Sequence, residues 1–193
     1  MFVVHLIPAE SVQCRKQYTA SELKAHGQAV RPLGKQYGRP RFNADGFAMY
    51  DGEGEVGAYT QLLRDGRLEA VTTDITYEQH ELKLLREGSC ETAIIELVRQ
   101  YLGVCEGIGI KHPTWIFAAL VGCKGVRADT RCGFSDQAIS RTQTFFPEFQ
   151  VESSDIEPVT YLRPLLDCLA NAVGFERSPN YDEQGNRIER RGW

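Results

Sequence analysis

The chain has 193 residues, of which 42% are hydrophobic and 25% are charged, and its formal net charge is −4. The apolar content is sufficient for a packed core and argues against wholesale disorder, and the length favours a single domain. No apolar run approaches the roughly 18 residues of a membrane-spanning helix, and the amino terminus lacks the basic stretch of a signal peptide. We therefore expect a cytoplasmic protein that does not contact a membrane.

Predicted strands dominate the first half of the chain. Residues 2–7 form a short apolar strand, and residues 9–41 are polar, with one or two helical turns predicted at 21–26. A three-stranded antiparallel meander follows, with strands at residues 47–50, 56–64 and 67–73. We predict a type I′ turn at Asp65 and Gly66, between the last two of these strands, because that turn favours Asp-Gly.

Helical periodicity appears in the second half of the chain. Apolar residues recur at steps of three and four over residues 90–106, and Ser89 is the predicted N-cap of this helix. A second apolar stripe lies within residues 157–173. Because a proline inside a helix removes a hydrogen bond, this helix either begins near Tyr161 or kinks at Pro164.

Two further strands are predicted between the helices. Residues 114–122 form an apolar run that suits a buried strand, and residues 145–152 suit an edge strand because they contain a proline. Residues 123–144 are typical of a long surface connection. The predicted fold is α+β, an antiparallel or mixed sheet covered by two amphipathic helices. We place a single domain at residues 1–176 and expect the polar tail 177–193 to be mobile in isolation.

Cysteine and histidine spacing indicates neither disulfides nor a metal site. The six cysteines include no Cys-x-x-Cys pair, and the four histidines are scattered. Reduced thiols are expected in a chain without a signal peptide. The chain has no P-loop, and Gly52, Gly54 and Gly57 match the spacing of a dinucleotide-binding motif only within a predicted hairpin turn. We therefore predict no cofactor and no structural metal.

Asp74, Glu81 and Lys83 form a candidate catalytic set. A restriction-type nuclease uses an Asp, followed by Glu-x-Lys on a neighbouring strand, to hold a divalent ion beside the scissile phosphate. Residues 76–87 have the character of a helix as much as that of a strand, and a solvated charged face explains the same residues. A small metal-dependent nuclease is therefore the alternative function, and it requires the three side chains to converge on one ion.

The charge is unevenly distributed along the chain. Residues 15–41 contain seven basic residues against one acidic residue, a local charge of +6 that leaves −10 for the remainder. Basic side chains interleaved with aromatic ones are what phosphate contacts and base stacking require. The candidate residues for binding nucleic acid or a partner protein are Arg31, Lys35, Tyr37, Arg39 and Arg41. An ordinary basic loop that packs against an acidic surface explains the same pattern.

Six segments together resemble one known family. In chain order they are residues 5–8, 41–47, 59–71, 121–127, 161–167 and 174–186. In this order they resemble the C-terminal region of bacterial ATP-binding or DNA-binding proteins whose N-terminal part is a Schlafen AlbA-type domain. The resemblance covers nearly the whole chain, and its most specific residues are Arg163, Pro164, Leu165, Asn180, Tyr181, Asp182, Glu183, Gly185 and Asn186.

The resemblance implies an accessory module for sensing, docking or assembly. The Schlafen AlbA-type domain, which would carry a nucleotide or nucleic-acid activity, is absent from this chain, so no catalytic residue is carried over. A Schlafen AlbA-type protein is an expected partner, and residues 187–193 depart from the family's short ending. We therefore predict a non-enzymatic binding or regulatory module. Asn180, Tyr181 and Asp182 are its second candidate binding surface, and packing of Tyr181 into the domain's own core is the alternative.

Overall fold

The computed structural model describes residues 1–13, 16–52, 54–130 and 133–188. Within these residues the helices are α1 (Ala9–Gln13), α2 (Ala20–Gly27), α3 (Glu87–Ile108) and α4 (Pro158–Ala172). The strands are β1 (Phe2–Pro8), β2 (Arg39–Asn43), β3 (Gly46–Tyr50), β4 (Ala58–Leu63), β5 (Leu68–Thr72), β6 (Thr76–Gln79), β7 (Leu82–Arg86), β8 (Thr114–Val121), β9 (Arg127–Thr130), β10 (Gly133–Phe134), β11 (Gln143–Phe145) and β12 (Phe149–Val151). With helices and mostly antiparallel strands, the fold belongs to the α+β class, as predicted.

Two sheets organise these strands. The larger sheet has the order β11-β8-β1-β5-β4-β3-β2, and all of these neighbours are antiparallel. β12 pairs with the opposite end of β8 from β11. The predicted meander is present as β3, β4 and β5, and β2 extends it. The smaller sheet has the order β10-β9-β7-β6, and its β7–β9 pair is parallel.

One face of the larger sheet, here called the inner face, carries the core. Along β1 the side chains of Phe2, Val4 and Leu6 are fully buried, and the residues between them are partly exposed, as the two-residue period of a strand requires. The apolar sides of α2, α3 and α4 join the same core. Tyr101 of α3 is fully buried there, and its hydroxyl donates to the carbonyl oxygen of Gly66 at 2.6 Å. The opposite face, here called the outer face, remains partly exposed.

The loop between β4 and β5 differs from the predicted type I′ turn. Gly66 has a φ of 89°, but Asp65 does not take the positive φ that a type I′ turn requires. The Gly66 N–H donates to the carbonyl oxygen of Leu63 at 2.9 Å, and the Leu63 N–H donates to that of Arg67 at 2.8 Å. This pattern is the three-residue hairpin loop that ends in a left-handed glycine and places a bulge in the strand pair.

The two long helices follow the predicted periodicity but have different ends. β7 runs into α3 without a loop, so Arg86 rather than Ser89 is the N-cap, and the Arg86 side chain makes no capping hydrogen bond. The first turn lies outside the predicted helix because Ser89 is a favoured N-cap residue and Glu87, although buried, is polar and adds nothing to the apolar pattern. α4 begins at its first proline and continues through Pro164.

Two segments between α3 and α4 differ from their predicted structure. The surface connection predicted for residues 123–144 contains β9 and β10, and its residues Val126, Ala128 and Ile139 are buried. The single edge strand predicted for residues 145–152 is instead two short strands, β11 and β12, which both pair with β8. The proline between these strands cannot donate to β8, which accounts for the interruption.

The tail predicted to be mobile packs against the domain over much of its described length. The exposed fractions of Ser178, Asn180 and Tyr181 are 0%, 6% and 4%. The Ile188 N–H donates to the carbonyl oxygen of Asn180 at 2.8 Å, so residues 180–188 form a small hairpin, here called the tail hairpin. The packed domain therefore extends beyond residue 176, and residues 189–193 lie outside the described residues.

Cys90, Cys105, Cys123 and Cys168 are free thiols, and Cys14 and Cys132 lie outside the described residues. None of the helices in the described part of the chain combines the length and apolar character that a membrane crossing requires.

The two-residue loop between β6 and β7 gives a testable prediction of stability. His80 and Glu81 have φ values of 48° and 62°, a left-handed conformation that is unfavourable for residues other than glycine. We predict that Glu81→Gly raises the free energy of unfolding by up to about 1 kcal/mol, measured by urea denaturation.

The matched control is Glu78→Gly, at an exposed position within β6. Glycine inside a strand costs conformational entropy, so this variant is expected to lower the free energy of unfolding by about 0.5–1 kcal/mol. A similar loss in both variants would show that the loop is not strained.

Candidate functional site

The structure divides the basic and aromatic candidates between two surfaces. Arg31 and Lys35 lie in the loop between α2 and β2, where the backbone N–H of Arg31 donates to a glutamine side chain of α3 at 3.0 Å. Arg39 and Arg41 lie on β2 at the edge of the larger sheet. Tyr37 lies between the two pairs and is 84% exposed. The five residues predicted as one surface therefore belong to two.

A close contact between Gly38 and Pro32 closes the loop that carries Tyr37. A Cβ atom at Gly38 would lie 2.6 Å from Cδ of Pro32, so only glycine fits there without displacing the proline. The loop therefore folds back on itself between Pro32 and Gly38.

Strand register aligns the side chains of the outer face in two rows. In the first, here called the aromatic row, each residue is the register partner of the next: Arg39, Tyr50, Tyr59, Val71, Val3, Ala119 and Phe145. The second, here called the polar row, consists of Arg41, Ala48, Gln61, Glu69, His5 and Phe117. Adjacent strands are about 4.8 Å apart, so the aromatic row extends over roughly 29 Å. Both rows begin with an arginine at the β2 edge.

Stacked side chains connect the two rows near β2. The guanidinium carbon of Arg41 lies 5.0 Å from the centroid of the Tyr50 ring, and the rings of Tyr50 and Tyr59 are 5.8 Å apart. The Tyr59 hydroxyl donates to Oε1 of Glu69 at 2.6 Å, and Nδ1 of His5 lies 3.7 Å from Oε2 of the same carboxylate. Burial and then the hydrogen bond to Glu69 raise the pKa of Tyr59 well above its ordinary value. The phenol therefore stays neutral near pH 7.

The end of the outer face that is farthest from β2, at β8 and β11, is exposed and apolar. Phe145 is 75% exposed and Phe117 is 41% exposed. Exposed aromatic side chains of this size, grouped on one face, are typical of interaction surfaces. The outer face therefore combines a basic edge, stacked tyrosines and an open aromatic end.

A second candidate site lies on the side of the helices. A groove of about 1000 Å³, here called the α3 groove, separates residues 31–36, the first half of α3 and the tail hairpin. Arg31, Lys35 and Asn180 line it together with Arg187. Three of the residues predicted from the sequence thus meet at one place, although they come from distant segments.

Lys35 is held by two carboxylates of its own domain. Its ammonium group donates to Asp74 and lies 3.4 Å from Oδ2 of Asp51. The hydrogen bond to Asp74 is the main cause of the raised pKa of Lys35, so the ammonium stays charged but its charge is offset. For this residue the structure matches the alternative of a basic loop packed against acidic groups.

A buried amide fixes the tail hairpin to the start of α3. Nδ2 of Asn180 donates to Oε2 of Glu87 at 2.7 Å and to Oε2 of Glu91 at 2.9 Å. Both glutamates are fully buried, and their spacing of four residues places them on one face of the helix. Burial and then the neighbouring Glu87 raise the pKa of Glu91 to about 8. The pair therefore retains a proton near neutral pH, as close buried carboxylates do.

The other two tail candidates have structural contacts. The guanidinium of Arg163 lies 4.2 Å from the ring centroid of Tyr181, which is buried in the domain's own core, as the alternative interpretation held. Asp182 accepts hydrogen bonds from the backbone N–H and the side-chain amide of Asn186, at 2.8 and 3.2 Å. These bonds close the turn of the tail hairpin.

The structure places the three candidate nuclease residues, Asp74, Glu81 and Lys83, at separate positions. β6 and β7 form an antiparallel hairpin, in which Asp74 precedes β6 and Glu81 lies in the turn at the other end. The four residues of β6 between them span roughly 13 Å, and Lys83 is exposed on β7. The convergence that the nuclease hypothesis needs is therefore not found among the described residues. Within the same residues, no group of three or more His, Cys, Asp or Glu side chains is arranged to hold a metal ion.

Four residues that form the outer face or hold the tail hairpin were not among the candidates predicted from the sequence. Tyr50 ends one strand of the predicted meander and Tyr59 lies near the start of the next, so a hairpin between those strands could have indicated that the rings lie opposite each other. Glu87 and Glu91 have the spacing of one helix face, but the sequence gives no sign that they are buried.

Comparisons with known proteins assign no family to the chain. No protein-family model, no curated protein and no solved structure matches it. The geometry and chemistry of the described residues are therefore the basis for a functional proposal.

The buried glutamate pair makes stability depend on pH. The pKa of Glu91 is about 8 in the folded protein and near its ordinary value of 4.5 in the unfolded chain, so the folded state binds the extra proton between these values. The free energy of unfolding should therefore fall as the pH rises through this range, by at most about 1.4 kcal/mol per pH unit from this group. Urea denaturation at several pH values between these two limits measures the slope.

Glu91→Gln removes the titrating group and keeps an oxygen that accepts from Asn180, so it should flatten this slope. Glu96→Gln is the matched control, because Glu96 is exposed on the same helix and paired with Arg99. Equal slopes in the wild type and in Glu91→Gln would contradict the assignment of the retained proton.

Proposed function

We propose that the chain is a non-enzymatic binding module that binds single-stranded nucleic acid across the outer face of its larger sheet. The observation that carries this proposal is the contact series of Arg41, Tyr50 and Tyr59, in which a guanidinium lies over the first of two neighbouring rings. Guanidinium groups bind phosphates in a bidentate manner, and aromatic rings stack on bases. A single strand fits this arrangement because its bases are free to leave one another and stack on side chains.

The charges of the outer face suggest how such a strand would lie. Arg39 and Arg41 place positive charge at the β2 edge, whereas Glu69 in the polar row disfavours a phosphate at the middle of the sheet. The phosphates would follow the β2 edge, and the bases would extend over the tyrosine rings. The Glu69 carboxylate can then accept a hydrogen bond from the amino group of a base.

The salt dependence of binding tests this arrangement. For single strands, the logarithm of the binding constant falls by about 0.7 per phosphate contact for each tenfold rise in salt concentration. Two arginine contacts therefore predict a slope of about −1.4 in a plot of log binding constant against log salt concentration. Fluorescence anisotropy with a labelled single-stranded oligonucleotide of mixed sequence, titrated at several salt concentrations, measures this slope.

Two variants distinguish the ionic contribution to oligonucleotide binding from the contribution of base stacking. Arg41→Gln should reduce the slope to about half, because one phosphate contact is lost. Tyr50→Leu should weaken binding by about fivefold or more and leave the slope unchanged, because base stacking is not ionic.

Arg31→Gln is the matched control, since it removes the same charge from the same basic segment but lies in the α3 groove. Absence of binding at low salt, or equal weakening by Arg31→Gln and Arg41→Gln, would contradict the proposal. Those results would favour a protein as the partner of the outer face.

The accessory role beside a Schlafen AlbA-type protein stays a prediction. It is supported by the resemblance of the six sequence segments, and a non-enzymatic module that binds nucleic acid is compatible with it. The cytoplasmic location also stays a prediction.

A further inference from the structure

Two arginines line the α3 groove. Arg31 extends from the loop before β2, and Arg187 extends from the tail hairpin, so the two guanidiniums belong to different walls of the groove. Among the described residues, neither guanidinium forms an ion pair with a carboxylate. Within the described part of the chain, the groove therefore offers a ligand two guanidinium groups that are not paired with a carboxylate.

The remaining charges of the groove are offset within the domain. Lys35 pairs with Asp51 and Asp74, which together carry one more negative charge than the lysine offsets, and Glu96 forms an ion pair with Arg99 at 2.8 Å. The buried glutamates beneath Asn180 share a retained proton near neutral pH, so they contribute less than two negative charges. Within the described part of the chain, none of these acidic groups forms an ion pair with Arg31 or Arg187.

Hydrogen bonds hold the backbone of Arg31 and the guanidinium of Arg187 before a ligand arrives. The Arg31 backbone is fixed on two sides, since its N–H donates to Oε1 of Gln100 at 3.0 Å and its carbonyl oxygen accepts from Oγ1 of Thr60 at 2.7 Å. Nη2 of Arg187 donates to Oγ1 of Thr92 at 2.7 Å. Groups that are already positioned lose less entropy on binding, which favours affinity.

The groove also offers apolar surface for an organic group. Leu33, Ala93 and Leu97 line it, and they are part of the buried core. Its volume of about 1000 Å³ is within the range of cavities that hold small organic ligands. Gly88 and Ser89 of the first helical turn line it as well, and the partial positive charge of a helix start adds to that of the arginines.

We propose that the α3 groove binds the phosphate monoester of a small organic molecule, with Arg31 and Arg187 on the phosphate and the organic group against Leu33, Ala93 and Leu97. A phosphate monoester carries a charge of about −1.5 to −2 at neutral pH, which matches two guanidiniums. The site shares no lining residue with the two rows of the outer face. Its occupancy is therefore independent of nucleic-acid binding there.

Isothermal titration calorimetry with phenyl phosphate tests the site. We expect saturable binding at one site, weaker binding of inorganic phosphate because it lacks an apolar group, and no binding of phenol because it lacks the charge. No saturable binding of phenyl phosphate would overturn the proposal. Inorganic phosphate bound as tightly as phenyl phosphate would overturn the assignment of an organic ligand.

Single substitutions assign the binding to the groove. Arg31→Gln and Arg187→Gln should each weaken phenyl phosphate by about tenfold or more, the loss expected for a charge-assisted hydrogen bond. Arg41→Gln, on the outer face, is the matched control and should leave the affinity unchanged.

Because Arg187→Gln also loses the contact with Thr92 and can loosen the tail hairpin, Arg31→Gln on the other wall is the decisive variant. Unchanged affinity in Arg31→Gln, or an equal loss in Arg41→Gln, would overturn the site. Failure of nucleic-acid binding on the outer face would leave these calorimetric results unaffected.

Discussion

Burial of a single face of the larger sheet determines where both candidate surfaces lie. The inner-face residues of β1, such as Phe2, Val4 and Leu6, are covered by the apolar sides of α2, α3 and α4. Every second residue of each strand then lies on the opposite face, and this brings Arg39 and Arg41 beside the tyrosines. On the helical side, the loop after α2 and the tail hairpin both meet α3 but leave the α3 groove between them.

Local sequence patterns predicted much of the fold but not the neighbours across the sheet. The meander follows from strand alternation and turn glycines, and α3 and α4 follow from apolar steps of three and four residues. Strand order depends instead on contacts between distant segments, because β1 pairs with both β5 and β8. Periodicity tells which face a residue occupies but not what lies beside it. The aromatic row, in which Ala119 connects Val3 to Phe145, could therefore not be predicted from the sequence.

Buried polar residues account for most of the differences at the candidate sites. A carboxylate is expected at the surface, because its burial is unfavourable unless other groups compensate for it. One group that compensates for Glu87 and Glu91 is the amide of Asn180, which is 89 residues beyond Glu91. The same contact orders a polar tail that has no apolar periodicity. In contrast, Glu81 is separated from Asp74 because the extended strand β6 lies between them.

The edge position of β2 has a consequence for the behaviour of the protein in concentrated solution. β2 is the last strand of the larger sheet, so one side of its backbone is open to pairing with a strand of another molecule. Such edges promote aggregation unless charge or proline blocks them. Arg39 and Arg41 supply like charges along this edge, and Pro40 has no N–H to donate. The amino acids tolerated at these three positions are therefore restricted by solubility as much as by any ligand.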